Sequence, residues 1–174
     1  HILTQLGYSS KEVELAKIAA FMHDIGNVVN RHDHAISGAT MAFRILDKMG
    51  MEPADVAAVI TAIGHHDDST AFPVNAVAAA LILADKTDVR RSRVRNKDMA
   101  TFDIHDRVNY SVERSEVLLD VPGRTVTLSL SINTQVCAVM DYFEIFLQRM
   151  LLCRRAAEAL ELKFRLEING QILL

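Results

Sequence analysis

One helix face near the start of the chain leads into an adjacent histidine and aspartate. Four apolar residues recur at the three- and four-residue spacing of a single helix face: Leu15, Ile18, Ala19 and Met22. His23 continues that face, so the pattern predicts an imidazole in an apolar interior with the Asp24 carboxylate beside it. Because a buried polar group without a partner costs free energy, this pair needs a partner from elsewhere in the chain. From these residues alone, His23 is either a core histidine that donates a hydrogen bond or part of a ligand site.

The other histidines favour a ligand site. Five of the seven histidines lie between His23 and His66, in three groups that each contain a carboxylate: His23-Asp24, His32-Asp33-His34 and His65-His66-Asp67-Asp68. Each group falls at the end of a predicted helix, where side chains from several helices can converge. Imidazole and carboxylate together are ligands for Mn, Fe, Co, Ni or Zn. No cysteine lies nearby, which disfavours a structural zinc site.

Periodicity and capping residues predict a helical bundle over residues 1–96. A capping box, Ser9-x-x-Glu12, begins a helix, and Pro53 and Pro73 at first-turn positions begin two others. The first two predicted helices are Ser9 to about Ile25 and His34 to Met49, the second capped by Asp33. The third is Ala54 to about Ile63. The fourth begins at Pro73, and the chain is predicted to be largely helical from there to about residue 95. Gly38, one turn after His34, predicts a close approach by a neighbouring helix.

Asp85 is the expected carboxylate from the fourth helix. It follows Leu81 by four residues and Ala78 by seven, which places it on an otherwise apolar face. An unpaired carboxylate in that position is expensive, and a bound metal ion removes the penalty.

The sequence changes character after Asn96. Residues 97–114 are polar and predicted to be irregular. The first predicted hairpin pairs Val117–Val121 with Val126–Ile132, a long helix follows from Gln135 to about Leu162, and the second hairpin pairs Phe164–Ile168 with Ile172–Leu174. We therefore expect a mainly α protein, with a helical metal-binding domain at 1–96 and a small α+β unit at 97–174. Two roles are open for the α+β unit: covering the pocket or pairing two subunits in a homodimer.

Charge and composition exclude several classes of partner. The net charge of −3 gives no reason to expect a nucleic acid. The longest apolar run, Ala76–Ala84, is much shorter than the roughly 18 to 20 residues of a membrane helix, so no membrane partner is expected. Cys137 and Cys153 fall in one predicted helix, too far apart to bridge. We expect reduced thiols in a cytoplasmic protein.

The order of these ligand groups resembles the HD-domain metal-dependent phosphohydrolases. The resemblance rests on His23-Asp24 in one helix, His34 early in the next, His66 at the end of a third and Ala84-Asp85 late in a fourth, and it covers about residues 1–95. The spacing is most similar to binuclear nucleotide hydrolases of the symmetrical dinucleoside tetraphosphate hydrolase type. It implies one or two divalent ions, with Mn, Fe, Ni, Co, Zn and Mg as the candidates.

The resemblance also implies a role for each ligand. A first metal would be held by His23, Asp24 and Asp85, and a second by Asp24, His34 and His66. His65, beside His66 at a helix terminus, is kept as an alternative ligand.

Two positions depart from the family pattern. The family has a further histidine ligand one helix before the doublet, but His1 is too close to His23, so we expect that ligand upstream of residue 1. Many relatives carry a phosphate-contacting lysine where this chain has Asn27.

The resemblance implies hydrolysis of a small phosphorylated compound, most simply a nucleotide. It also implies that two ions would share Asp24; such ions would lower the pKa of a shared water and give a hydroxide for in-line attack on phosphorus. Asp88 and Arg91 follow Asp85 by three and six residues, and related hydrolases carry an acid and an arginine there, so both are expected to be catalytic. Arg91 would contact phosphate, and Asp88 would orient Arg91 or accept a sugar hydroxyl.

Two alternatives stay open. The first is a regulatory HD module that binds a nucleotide without turnover, which the Asn27 substitution favours. The second is a di-iron oxygenase, since some HD-fold relatives use iron on cyclitols or phosphonates and a His/Asp set alone does not exclude it.

Overall fold

A computed structural model describes residues 1–68 and 71–173, and within it the chain divides into two units. The first unit contains residues 1–84 and 155–160, and the second contains residues 85–154 and 161–174. The predicted boundary at 96/97 differs from this division, because residues 85–96 group with the second unit. Leu174, the last residue of the predicted final hairpin, lies outside the described residues.

The first unit is helical. Its elements are α1 (Ile2–Gln5), α2 (Ser10–Met22), a 3-10 turn (Ile25–Val28), α3 (His34–Lys48), α4 (Pro53–Gly64) and all but the end of α5 (Ala76–Lys86). Small and β-branched side chains fill much of its core, among them Ala19, Ala42, Val59, Ala62, Ile63 and Ala78. Small side chains let helices pack closely, which brings the helix ends together.

The helix starts show which local signals were reliable. The Ser9 capping box is present: Glu12 N donates to Ser9 Oγ at 3.2 Å, and Ser9 N donates to a Glu12 carboxylate oxygen at 3.0 Å. Asp33 precedes α3 as predicted, but its side chain makes no capping bond. Its carboxylate is paired with His32 Nδ1 at 2.7 Å instead, and its backbone is left-handed with φ 56°.

Two glycines allow the turn after the His23-Asp24 doublet to lie against α3. A Cβ added to Gly26 would be 2.0 Å from the carbonyl oxygen of His34 and 2.6 Å from the amide nitrogen of Gly38. A Cβ on Gly38 would be 3.2 Å from Gly26 N and 3.3 Å from His23 O. The close approach predicted at Gly38 is present, although a 3-10 turn rather than a helix makes it.

The fourth predicted helix is shorter than expected at both ends. It begins at Ala76 because the Asn75 side chain accepts from Ala78 N at 2.8 Å, which makes Asn75 rather than Pro73 the starting signal. It ends at Lys86, before the β-branched residues Thr87 and Val89, and only a 3-10 turn at Arg91–Arg93 follows. The prediction of helical structure to about residue 95 was therefore wrong.

The second unit contains a four-stranded sheet and two helices. After a 3-10 turn (Met99–Thr101) its elements are α6 (Ile104–Ser111), β1 (Val112–Asp120), β2 (Thr125–Ile132), α7 (Val139–Ala159, whose last residues belong to the first unit), β3 (Lys163–Ile168) and β4 (Gln171–Ile172). The strands lie in the order β1-β2-β3-β4. Both predicted hairpins are present as antiparallel pairs, and β2 and β3 pair in parallel through the α7 crossover.

Two expectations for this unit need correction. Residues 97–114 are not irregular throughout, because Asp103 caps α6 by accepting from Asp106 N at 2.7 Å. The long helix begins at Val139, so Cys137 precedes it. Both cysteines are buried thiols, and burial together with the Asp141 carboxylate raises the pKa of the Cys137 thiol to about 11.

Helices account for most of the ordered structure, so the chain is mainly α, with one small sheet. Among the described residues, no helix has both the length and the apolar composition that a membrane span requires.

Candidate metal centre

Three helix ends of the first unit bring histidines and the doublet's aspartate together. His23 follows the last residue of α2 and precedes Asp24, His34 is the first residue of α3, and His66 comes two residues after the end of α4. His34 is 3% exposed and His66 is 1% exposed. Three buried or half-buried imidazoles are thus carried to one place by separate elements.

Asp24, His34 and His66 form one tight group. The Nε2 atoms of His34 and His66 are 3.2 Å apart. Asp24 Oδ1 lies 3.3 Å from His34 Nε2 and 3.9 Å from His66 Nε2. One ligand atom from each side chain can therefore reach a common centre.

The backbone determines which nitrogen of each ring carries the proton. In all three histidines, Nδ1 is bonded to the carbonyl oxygen three residues earlier: His23 to Ala20 at 2.7 Å, His34 to Arg31 at 3.0 Å and His66 to Ile63 at 2.6 Å. A carbonyl oxygen only accepts, so each Nδ1 must be the donor. In a neutral imidazole the proton on Nδ1 leaves a lone pair on Nε2, which is the form that binds a metal.

This tautomer makes the His34–His66 contact unfavourable unless a cation is present. Two nitrogen lone pairs 3.2 Å apart repel each other, and the Asp24 carboxylate adds negative charge. A shared proton relieves part of this repulsion, and a divalent ion relieves it fully. The donor set of two imidazoles and a carboxylate thus fits a divalent metal.

A second group consists of His23, His66 and Asp85, whose ligand atoms lie within 4.8 Å of one another. Asp85 is in the last turn of α5, so its position follows from that helix. The family resemblance placed Asp24 rather than His66 with His23 and Asp85. Asp24 is also near, because its Oδ2 lies 3.6 Å from His23 Nε2.

His65 belongs to neither group. Its Nδ1 is buried without a hydrogen-bond partner, and its backbone carbonyl accepts from Phe72 N at 3.2 Å. The structure gives no support for His65 as an alternative ligand.

Arg91 does not lie on the Asp85 helix. α5 ends at Lys86, so the spacing that placed Arg91 on the same helix side as Asp85 does not apply. Its Nε donates to the Tyr110 carbonyl at 2.6 Å, and its guanidinium stacks over the Tyr110 ring at 4.5 Å. These contacts hold Arg91 against Tyr110, and its phosphate contact stays a prediction.

Asp88 is paired with two other arginines. Its carboxylate contacts Arg90 Nε at 2.8 Å and an Arg93 guanidinium nitrogen at 2.7 Å. Both contacts lie beyond the end of α5, where the periodicity of that helix does not determine partners, and the roles of orienting Arg91 or accepting a sugar hydroxyl stay predictions for Asp88.

Arg31 is a cation near the site that the sequence analysis missed. One of its guanidinium nitrogens lies 3.9 Å from Asp24 Oδ1 and donates to Asn27 Oδ1 at 3.3 Å. The side chain is 71% exposed. Its only sequence signal is a basic residue between the doublet and His34, which by itself is common in a solvated loop.

The family model for the HD domain matches residues 1–145, and the chain belongs to this family. No curated protein and no solved structure matches the chain. The match continues past the predicted limit near residue 95 and into the second unit. HD domains bind divalent metals and commonly have metal-dependent phosphohydrolase activity, and the His/Asp groups described above are positioned to hold such an ion.

Proposed function

We propose that this protein is a metal-dependent hydrolase that cleaves a phosphoester or phosphoanhydride bond of a nucleotide or another small phosphorylated compound. The observation that carries the proposal is the convergence of the His34 and His66 Nε2 lone pairs on an Asp24 oxygen. A hydrogen-bonded core histidine has no need of a second imidazole nitrogen at 3.2 Å, whereas a metal site requires such a neighbour.

The histidine and aspartate side chains described above would bind the metal ions. Asp24, His34 and His66 would bind one ion; because His66 Nε2 has a single lone pair, a second ion would be held by His23 and Asp85 with Asp24, whose Oδ2 is near His23. A bound divalent ion supplies positive charge to phosphoryl oxygens and lowers the pKa of water. The backbone carbonyls that bond to Nδ1 keep each imidazole in the ligand tautomer and in a fixed orientation.

Arg31 would bind a substrate phosphoryl group. Its exposed guanidinium lies beside Asp24, and Asn27 holds it there. Asn27 replaces the lysine that many HD relatives have after the doublet, so a cation four residues later would restore the missing positive charge. A guanidinium can bond two phosphoryl oxygens at once.

Binding without turnover is the second candidate function. The hydrogen bond from Arg31 to Asn27 favours it. A guanidinium that already donates to Asn27 and lies near Asp24 has fewer N–H groups left to stabilise a reacting phosphate. The two candidates predict different results in an activity screen: hydrolysis of the compound for the first, and binding without hydrolysis for the second.

The purified protein is expected to contain a transition metal and to hydrolyse a phosphorylated substrate. Metal content measured by mass spectrometry, followed by a screen of nucleotides and phosphate esters with added Mn²⁺ or Ni²⁺, checks this expectation. Chelation by EDTA should abolish turnover, and added metal should restore it. Bound metal with nucleotide binding but no hydrolysis would support the regulatory alternative, and oxygen consumption by the iron-loaded protein would indicate an oxygenase.

Arg31→Gln is expected to raise the KM for the screened substrate about tenfold while metal content stays unchanged. A charge-assisted hydrogen bond contributes about 1.5–3 kcal/mol, and exposure places Arg31 toward the lower value. Arg44→Gln, an exposed arginine on α3, is the matched control and should have normal kinetics. An unchanged KM in Arg31→Gln would remove Arg31 from the substrate site.

A further inference from the structure

The second unit has a cavity of about 240 Å³ that contains none of the candidate metal ligands. Beside the apolar Val94 and Phe146, its lining has polar groups that include both signs of charge: Arg93, His105, Asp106, Asn109 and Arg149. The polar groups come from three segments of this unit, namely the 3-10 turn at Arg91–Arg93, α6 and α7. Separate segments that supply opposite charges to one cavity suggest a bound molecule that is itself dipolar.

The positive side of the cavity is formed by Arg93 and Arg149. Arg93 contacts the Asp88 carboxylate at 2.7 Å, but Arg90 contacts the same carboxylate at 2.8 Å. Two guanidinium groups therefore share one negative charge, and the cluster remains cationic. Arg149 stacks on the buried ring of Phe146, with its guanidinium carbon 4.9 Å from the ring centroid, which limits its orientations.

The negative side is formed by Asp106, which lies three residues before the neutral Asn109 on α6 and accepts from Asn96 Nδ2 at 3.5 Å. Asn109 Nδ2 donates to the His105 carbonyl at 2.9 Å, which determines which end of the amide is the oxygen. That oxygen, Oδ1, is buried, so a molecule in the cavity does not reach it, and the Asp106 carboxylate is the acceptor that this side offers.

We propose that this cavity binds a small α-amino acid as a zwitterion. Its carboxylate would contact Arg93 and Arg149, and its ammonium group would donate to the Asp106 carboxylate. The cavity is smaller than the roughly 300 Å³ at the lower end of sites for drug-sized ligands, which favours a molecule of amino-acid size over a nucleotide. The site would give this hydrolase family member a binding function separate from its metal centre.

The test begins with thermal unfolding of the whole chain in the presence of each standard L-amino acid, with EDTA present to remove divalent ions. One or a few amino acids should raise the melting temperature, and calorimetric titration of the best one gives its Kd. Arg93→Gln and Asp106→Asn should each weaken this binding about tenfold or more. Arg93 is exposed, so its variant should fold even if a change at Arg149 disturbs the Phe146 contact.

Ligand variants identify which group contacts which side chain. The amide of the best amino acid lacks the carboxylate, so Arg93→Gln should cause little further loss with it, although the same change causes a large loss with the parent compound. Arg154→Gln, an exposed change on α7, is the matched protein control and should bind normally.

Two results would overturn the proposal. One is that no amino acid binds, or that the best one binds Arg93→Gln and Asp106→Asn as tightly as the unaltered protein. The other is that inorganic phosphate binds as well as any amino acid, which would mean a simple anion site. A His66→Gln variant should retain amino-acid binding, so failure of the metal centre and failure of this cavity are distinguishable.

Discussion

Replacing His66 by glutamine is expected to remove bound metal and to lower kcat/KM about a thousandfold or more. Among the described residues, His66 is the one side chain that belongs to both potential ligand groups. Its loss leaves each group with two ligands, and a divalent ion supplies several kcal/mol of transition-state stabilisation. A thousandfold loss corresponds to about 4 kcal/mol. Metal analysis and steady-state kinetics on the same preparation measure both effects.

The stability of this variant separates a metal site from a structural hydrogen bond. His66→Gln also removes the buried bond from Nδ1 to the Ile63 carbonyl, so a loss of about 1 kcal/mol in EDTA is expected on either reading. If the His34–His66 contact is a repulsion between lone pairs that a cation relieves, added metal should stabilise the parent protein and not the variant. A structural hydrogen bond between the two rings predicts that added metal stabilises neither, and chemical denaturation with EDTA and with added metal distinguishes the two outcomes.

His32→Gln is the matched control for His66. The His32 side chain is 86% exposed, is paired with Asp33 and belongs to neither ligand group. It should keep full metal content and activity. Normal metal content in His66→Gln, or an equal loss in both variants, would contradict the assignment of this centre.

Gly26→Ala is expected to destabilise the protein by about 3 kcal/mol and to weaken metal binding. The added Cβ would lie 2.0 Å from the His34 carbonyl oxygen and 2.6 Å from Gly38 N. Both are backbone atoms, so the 3-10 turn or the start of α3 must move. Overpacking of this kind costs typically 1–3 kcal/mol, and the backbone contacts put Gly26 at the upper end. Because His34 begins α3, the same movement displaces a ligand.

Gly64→Ala is the control for this substitution. Its nearest neighbour would be the Ala39 Cβ at 3.7 Å, an ordinary contact, and Gly64 lies at the end of a helix. It should be neutral or stabilising by up to about 1 kcal/mol. Urea denaturation of both variants gives the comparison. If Gly26→Ala is as stable as Gly64→Ala, the tight packing of the turn against α3 is not required.

The first three helices could be predicted because their signals are local. The Ser9 capping box, Pro53 and the apolar periodicity before His23 each involve neighbours within a few turns. The spatial gathering of the histidines followed from the family resemblance and from their position at helix ends. Their binding of metal remains a prediction.

The errors arose where structure depends on particular contacts. Arg91 and Asp88 were placed by continuing a helix that in fact ends at Lys86, and their partners lie in segments without periodicity. The parallel pairing of β2 and β3 depends on the α7 crossover, and strand patterning does not encode which distant strand becomes a neighbour. Arg31 could not be distinguished from an ordinary solvated arginine until its contacts with Asn27 and Asp24 were known.

The hydrogen bonds from the imidazoles to carbonyls three residues earlier have a consequence for how such a centre assembles. Each ring is anchored by its own short stretch of backbone, so its direction is decided before the helices meet. Capturing an ion then requires little loss of side-chain freedom. We therefore expect an ion at this centre to leave and rebind without refolding of the segments that present the three rings.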